Sequence, residues 1–303
     1  AARGYNPMNR HAKSYFPLLC HIAQTGHFIR VQNRPGNVHD GRNQALIVMK
    51  EVVKQLREKF PGIIIEFRLD SAFFREDILK YLLSNHIEFA MKVPMWKWLG
   101  VKDLIQKRQR WSHPKPRLDY FSKSHYVEVW DLELPLHFYR RKLSDKPAKG
   151  HQLDFFTPDD GVYEHFVLIS NKNLQPKNLV DFYNGRCRME ANIAELKGEF
   201  AFDVIPTRHY QGNSAHQQIS LLAYNLVRNF QMDTNQVIER KSGCKRTHIF
   251  EFQSLKTIRF EIINAAGRIL KTSKGKVLQI THNIARENLF NDIGDALDDL
   301  KSA

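Results

Sequence analysis

Four side chains in the segment DFYNGRCRMEANIAELKGEF, residues 181–200, combine the chemistries that work on phosphate esters need. They are the phenol of Tyr183, the guanidinium of Arg186, the carboxylate of Glu190 and the ammonium of Lys197. On one continuous helix at about 100° per residue, all four fall within roughly 60° of one another. Phe182, Met189, Ile193, Leu196 and Phe200 form an apolar stripe centred roughly 60–70° away on the same wheel. Glu190 is therefore expected at the edge of the buried face, where a carboxylate can reach a cleft beside the core. The same spacing also fits a solvated face, with Arg186 and Glu190 as an ordinary surface i,i+4 pair.

A second carboxylate, Asp70, closes the segment IIIEFRLD. The β-branched run Ile63–Ile65 suits a strand buried on both faces, and ligands of α/β sheets gather beyond the carboxyl ends of strands. Asp70 also stands where a helix N-cap would stand, because DSAFFREDILK starts a helix. A strand-end aspartate and a helix-edge glutamate can converge on divalent cations. Such hard oxygen ligands suit magnesium, and two ions about 4 Å apart would hold the attacking and leaving oxygens of a phosphoryl transfer.

These side chains need a sheet and helices to place them. SYFPLLCHIA and HFIRVQNRPG read as two strands joined by Gln24-Thr25-Gly26, and GRNQALIVMKEVVKQLREKF as a helix ended by Pro61-Gly62. After IIIEFRLD, REDILKYLLSNH reads as a helix and IEFAMKVP as a strand, an alternation that implies an α/β layer. Residues 96 to about 163 carry short alternating pieces, such as YVEVWDLEL and LHFYRRKL, and are expected to be a mostly β insertion. HFVLISN resumes the buried-strand pattern. Pro176 is expected to open a long helix through about Phe200, at a position that suits proline. SAHQQISLLAYNLVRNFQM reads as a second helix with Ile219, Leu222, Leu226 and Phe230 as its core stripe. We divide the chain into a first core part (1–95), the insertion (96–163), a second core part with the glutamate helix (164–235) and a strand-and-helix extension (236–303).

The 303 residues carry a formal net charge of +14, which favours a polyanionic partner. No run of about 18 apolar residues offers a membrane span. The three cysteines, Cys20, Cys187 and Cys244, are far apart and lack CxxC spacing, so reduced thiols of a cytosolic protein are expected rather than a disulfide framework or zinc site. Trp96, Trp98 and Trp111 lie among Lys97, Lys102, Lys107, Arg108, Arg110, Lys115, Arg117 and Lys123. That mixture fits either a grip on single-stranded DNA or a solvated basic loop with tryptophans packed beneath it. His209 and His216 have no carboxylate in register for zinc and read as ordinary histidines.

Tyr183-x2-Arg186-x3-Glu190-x6-Lys197 resembles the Y-R-E-K signature of DDE transposases of bacterial insertion sequences, the insertion-sequence-four superfamily. GYNP, SYFPLL, NRPGN, FRLDSAFF, VLISNK and LLAYNL also resemble that family, over most of residues 3–232. The resemblance implies an RNase H-like α/β core, a mixed sheet flanked by helices, with a β-rich insertion before the glutamate helix. It places the second acidic residue at Asp70 and the glutamate at Glu190, as catalytic metal ligands for two Mg2+ or Mn2+ ions. It gives Tyr183, Arg186 and Lys197 the phosphates of the transposon end. The implied partners are terminal inverted repeats, target DNA and a second copy in a synaptic complex. The implied location is the bacterial cytoplasm, at the nucleoid.

The family's first aspartate lies shortly upstream of the region that GYNP resembles. We therefore expect an N-terminally truncated chain, inactive as given, with Asp40 a poor substitute for the missing ligand. The alternative is a non-catalytic, basic DNA-binding relic of a transposase.

Overall fold

A computed structural model of the chain describes residues 2–3, 12–38, 44–143, 162–234, 238–239, 248–249, 252–264, 267–280 and 283–302. Asp40, Cys244 and residues 144–161 of the expected insertion lie outside them. The chain divides into two compact units, Asn37–Arg186, and Ala1–Gly36 together with Cys187–Ala303.

The unit Asn37–Arg186 is built on one six-stranded sheet. Its order is Glu66–Leu69 at one edge, then Glu88–Val93, Tyr163–Ser170, Leu132–Lys142, Leu118–Val127 and Ser112–Lys115. Glu66–Leu69 and Glu88–Val93 run parallel, linked through the helix Glu76–Ser84, and the other pairings are antiparallel. Interior strands must be apolar on both faces, and Val167, Leu168 and Ile169 of Tyr163–Ser170 are fully buried. The helix Pro176–Asn184 lays Leu179, Val180 and Tyr183 against Ala90, Leu118, Tyr139 and Leu168 of the sheet. Ile78, Leu79 and Leu82 of Glu76–Ser84 are fully buried as well, and Glu76 and Asp77 suit the positive end of that helix. The result is the expected α/β fold, a mixed sheet flanked by helices and consistent with an RNase H-like core. Strands from residues 112–142 lie in this same sheet.

Local expectations are corrected at several points. The strand after Gly62 begins at Glu66, and Ile63 and Ile64 are 43% and 78% exposed. Its pairing partner starts at Glu88, opposite Glu66, so the isoleucines precede the ladder that would have buried them. The helix expected from Pro176 through Phe200 is in fact two, Pro176–Asn184 and Cys187–Phe200. At the break, the Arg186 amide reaches back only to Tyr183 O, at 2.9 Å, and this i→i−3 closure ends α-helical bonding. Gly185 makes the break cheap, since glycine is a weak helix former. Tyr183 and Arg186 therefore close one helix while Glu190 and Lys197 belong to the next, and no single helical stripe carries all four.

In the other unit, the strands Leu18–His21 and Phe28–Gln32 pair antiparallel around a turn where Gly26 takes φ 75°. Phe28 and Val31 pack with Leu196, Phe202, Leu221 and Tyr224, the last two from the 25-residue helix Tyr210–Thr234. That helix reverses the expected stripe: Ile219, Leu222 and Leu226 are 66%, 60% and 58% exposed, while Asn213, Gln217, Arg228 and Gln231 are buried. The reason is hydrogen bonding. Asn225 accepts from the Phe28 amide (3.0 Å) and donates to its carbonyl (2.7 Å), and Gln218 donates to Val31 O (3.0 Å). These amides turn toward the strand a mixed face that also carries Leu221 and Tyr224.

Candidate active site

Side chains alternate along a strand, so Glu66, Arg68 and Asp70 share one side of the edge strand. Each meets a group from residues 172–186. Lys172, 10% exposed, pairs with Glu66 and with Glu88 of the neighbouring strand. Burial works to lower the pKa of this ammonium, but the two carboxylates outweigh burial and raise it. The Arg68 guanidinium lies 4.4 Å from the centre of the Phe182 ring, and the Lys172 ammonium 4.9 Å from it. Asp70 Oδ2 stands 3.8 Å from Arg186 Nη1.

Asp70 directly follows the strand with extended backbone and caps the short 3-10 turn Ser71–Phe73, its Oδ1 accepting from the Ala72 amide at 2.7 Å. Capping and site chemistry are thus compatible: one carboxylate oxygen is fixed by the turn, and the other faces Arg186. Arg186 follows Gly185 in the turn after Asn184, with its guanidinium 5.8 Å from the centre of the Tyr183 ring. Tyr183 is 8% exposed and belongs to the core cluster. Glu190 and Lys197 are exposed on Cys187–Phe200, seven residues and so about two turns apart on one face.

The aromatic and basic stretch of the Asn37–Arg186 unit divides in two. Trp96 and Trp98 stack at 5.6 Å and are 42% and 51% exposed; Phe74, fully buried just after the turn that Asp70 caps, packs on Trp96 and Trp130. Trp111 instead packs edge-on to Phe121, beneath the Arg140 guanidinium at 4.5 Å. An open pocket of about 280 Å³ nearby is lined by Leu104, Lys107, Arg108, Phe121, Ser122 and Lys123.

A transposase DDE domain group 1 family model matches residues 4–302. The chain belongs to this family. No curated protein shows significant similarity to it. A DDE transposase domain moves DNA, and such enzymes generally use divalent metal ions. Asp70 offers the hard oxygen donor those ions take, with Oδ2 left outside the capping bond. Among the described residues, no cluster of three or more His, Cys, Asp or Glu side chains has the spacing of a metal site. No helix of the described residues is long and apolar enough to cross a membrane.

Two groups of this transposase domain went unnoticed in the sequence. Arg68 could have been found from strand alternation alone, being two residues from Asp70. The other is Asp119, which accepts from Arg140 Nε and is bonded to His113 Nδ1, both at 2.6 Å. Burial pushes this carboxyl up, but the Arg140 and His113 hydrogen bonds outweigh it and hold the pKa below the usual carboxylate value. Its partners lie 6 and 21 residues away, pairings set by strand register that no local motif announces.

Proposed function

We propose that this transposase domain cuts DNA at transposon ends and joins them to target DNA. In this reading Asp70 and Glu190 are the carboxylate ligands of two Mg2+ or Mn2+ ions, and Arg186 and Lys197 hold the phosphates of the end. The observation that carries the reading is Asp70 at the end of a sheet strand with the Arg186 guanidinium beside its outer oxygen.

When bound, the divalent ions supply Lewis-acid polarisation of the phosphate and lower the pKa of the attacking water. Asp70, held by the Ala72 amide, offers its ligand oxygen in a fixed orientation. Arg186, placed over Tyr183, has the planar fork that matches two phosphate oxygens, and Lys197 adds a point charge. Such cations stabilise charge on the equatorial oxygens as the reaction proceeds. In the first step a water oxygen bonds to phosphorus, the P–O3′ bond breaks in line, and the 3′-hydroxyl of the element is freed. In the second that hydroxyl attacks a target phosphorus and a target 3′-oxygen leaves, taking up a proton. Each step exchanges one P–O bond for another, so no covalent protein intermediate is needed.

The partners are the terminal inverted repeats and target DNA, with two copies of the protein bringing the ends together. Trp96, Trp98 and the lysines and arginines of residues 97–123 would extend the contact, the rings against unpaired bases and the cations against phosphates.

The test is cleavage of labelled inverted-repeat DNA with magnesium, comparing the natural protein with Asp70→Asn and Glu190→Gln. Losing one ligand should slow cutting about a hundredfold to a thousandfold, since a catalytic metal supplies several kcal/mol. Unimpaired cutting by Glu190→Gln would end the assignment. DNA binding without metal dependence or cleavage would leave a DNA-binding relic.

A further inference from the structure

Arg68 stands at a junction. It lies two residues before Asp70 on the same side of the strand, and its guanidinium packs on Phe182 at 4.4 Å. The same guanidinium fills the space that Gly185 leaves open: a Cβ at position 185 would lie 2.7 Å from Arg68 Nη1 and 3.2 Å from Arg68 Cζ. The next residue is Arg186, whose Nη1 is 3.8 Å from Asp70 Oδ2. One guanidinium thus touches the turn that carries Arg186 while standing on the strand that carries Asp70.

We propose that Arg68 is a positioning residue: stacked on Phe182 and lodged against Gly185, it sets the Arg186 turn against Asp70 and so fixes where Arg186 meets phosphate. The phosphate clause rests on the function proposed above; the positioning clause does not. Charge alone does not meet the requirement. Phe182 needs a flat partner, and an arginine supplies a plane where a lysine supplies a point. Glycine at 185 is required by the close approach and not by its backbone, because φ there is −56°, which alanine adopts freely. Gly185→Ala therefore displaces the flexible end of Arg68, with Phe182 O, 3.2 Å from the added Cβ, giving by a few tenths of an ångström.

The experiment uses the whole chain with Arg68→Lys, Gly185→Ala, Arg186→Ala and the double variant Arg68→Lys/Arg186→Ala. Three quantities are read: the melting temperature, the affinity for a short inverted-repeat duplex, and the guanidinium Nε–Hε NMR signals. Arg68→Lys and Gly185→Ala should each shift the Arg186 signal, and Gly185→Ala should also shift that of Arg68 by moving it over the Phe182 ring. Each should melt within about 3 °C of the parent, as a surface-level change does. DNA affinity should fall about tenfold in each, the usual effect of removing a supporting partner. The double variant should bind no worse than Arg186→Ala, because residues acting through one another are not additive.

An Arg186 signal unmoved in both Arg68→Lys and Gly185→Ala overturns the proposal. So does a double variant whose losses multiply, which would make Arg68 a separate DNA contact. If Arg186→Ala leaves DNA affinity intact, the phosphate role of Arg186 fails, and the Arg186 signal alone then decides for or against positioning.

Discussion

Arg186 Nη1 lies 3.8 Å from Asp70 Oδ2, with the two side chains 28% and 42% exposed. The separation exceeds a hydrogen bond, and a partly exposed pair of this kind contributes at most about 1 kcal/mol. The contact is therefore weak as a brace and well suited to exchange. In the function proposed above, Asp70 would exchange this contact for a metal ion and Arg186 would exchange it for a phosphate, at a cost of no more than that pair. Arg186→Ala should accordingly weaken DNA binding and leave Mn2+ affinity equal or higher. Asp70→Asn should do the reverse, costing at least about tenfold in Mn2+ affinity. Fluorescence anisotropy with DNA and electron paramagnetic resonance with Mn2+ read the two effects separately, and parallel losses in both assays would contradict the exchange.

Lys197 stands exposed on Cys187–Phe200. If it neutralises one phosphate, Lys197→Ala should lower the slope of log affinity against log salt by about 1, whatever the DNA sequence. Binding isotherms between low and moderate salt would show it. An unchanged slope removes Lys197 from the DNA contact.

Asp119 makes a prediction about acid. Its folded pKa is depressed because the Arg140 and His113 hydrogen bonds outweigh burial. A depressed carboxylate stabilises the fold above its unfolded value, about 3.9, and that contribution is lost as pH falls through the folded pKa. Thermal melts from pH 6 to pH 3 should show a steep decline, and Asp119→Asn should be less stable near pH 6 with a flatter acid limb. Half-buried His137 adds to the decline at higher pH. Burial lowers its pKa, so its contribution is present above about 6.5 and fades as pH falls toward the folded value.

The described cysteines should differ in reactivity. Burial pushes the Cys20 thiol up to about 11, while Cys187 is exposed. Only the thiolate attacks, so at pH 8 Cys20 should react with a thiol reagent on the order of a hundredfold more slowly than an ordinary cysteine. Mass spectrometry of a Cys244→Ser protein during brief labelling should find the adduct on Cys187. Rapid labelling of Cys20 would contradict its burial.

Asn225→Leu tests the inverted helix. Hydropathy would call it harmless, yet it strips both hydrogen bonds from the Phe28 backbone. Each unsatisfied group costs about 1–3 kcal/mol, so the variant should lose several degrees of melting temperature. A neutral result would mean that water replaces the amide.

The sheet was legible because its signal is local. The apolar runs around Met91 and Leu168, the turn at Gly26 and the proline at 176 each announce an element by their own neighbours. Asp70 was legible only as the residue closing a strand, since the apolar run Ile63–Ile65 that suggested it precedes Glu66–Leu69 and lies outside the ladder. The single helix expected across residues 176–200 was not, because the wheel assumes continuity and one glycine interrupts it. The stripe at Ile219, Leu222 and Leu226 misled for another reason: period identifies a helix but not which face meets the protein. Asn225 and Gln218 chose that face by hydrogen bonds to a strand almost 200 residues earlier. Strand alternation could have flagged Arg68, but its close approach to Gly185 joins residues more than a hundred positions apart and has no local signal.

Among the described residues, Glu66–Leu69 pairs only with Glu88–Val93, at the rim of the sheet's strand order. Such a rim invites recruitment by neighbouring chains, and natural proteins discourage it with short strands and charge. This strand has four residues, and two of them are Glu66 and Arg68. The polar row of the proposed site thus also carries the charge that discourages such pairing. Resurfacing it with threonine or valine to gain β propensity would remove both charges from the strand.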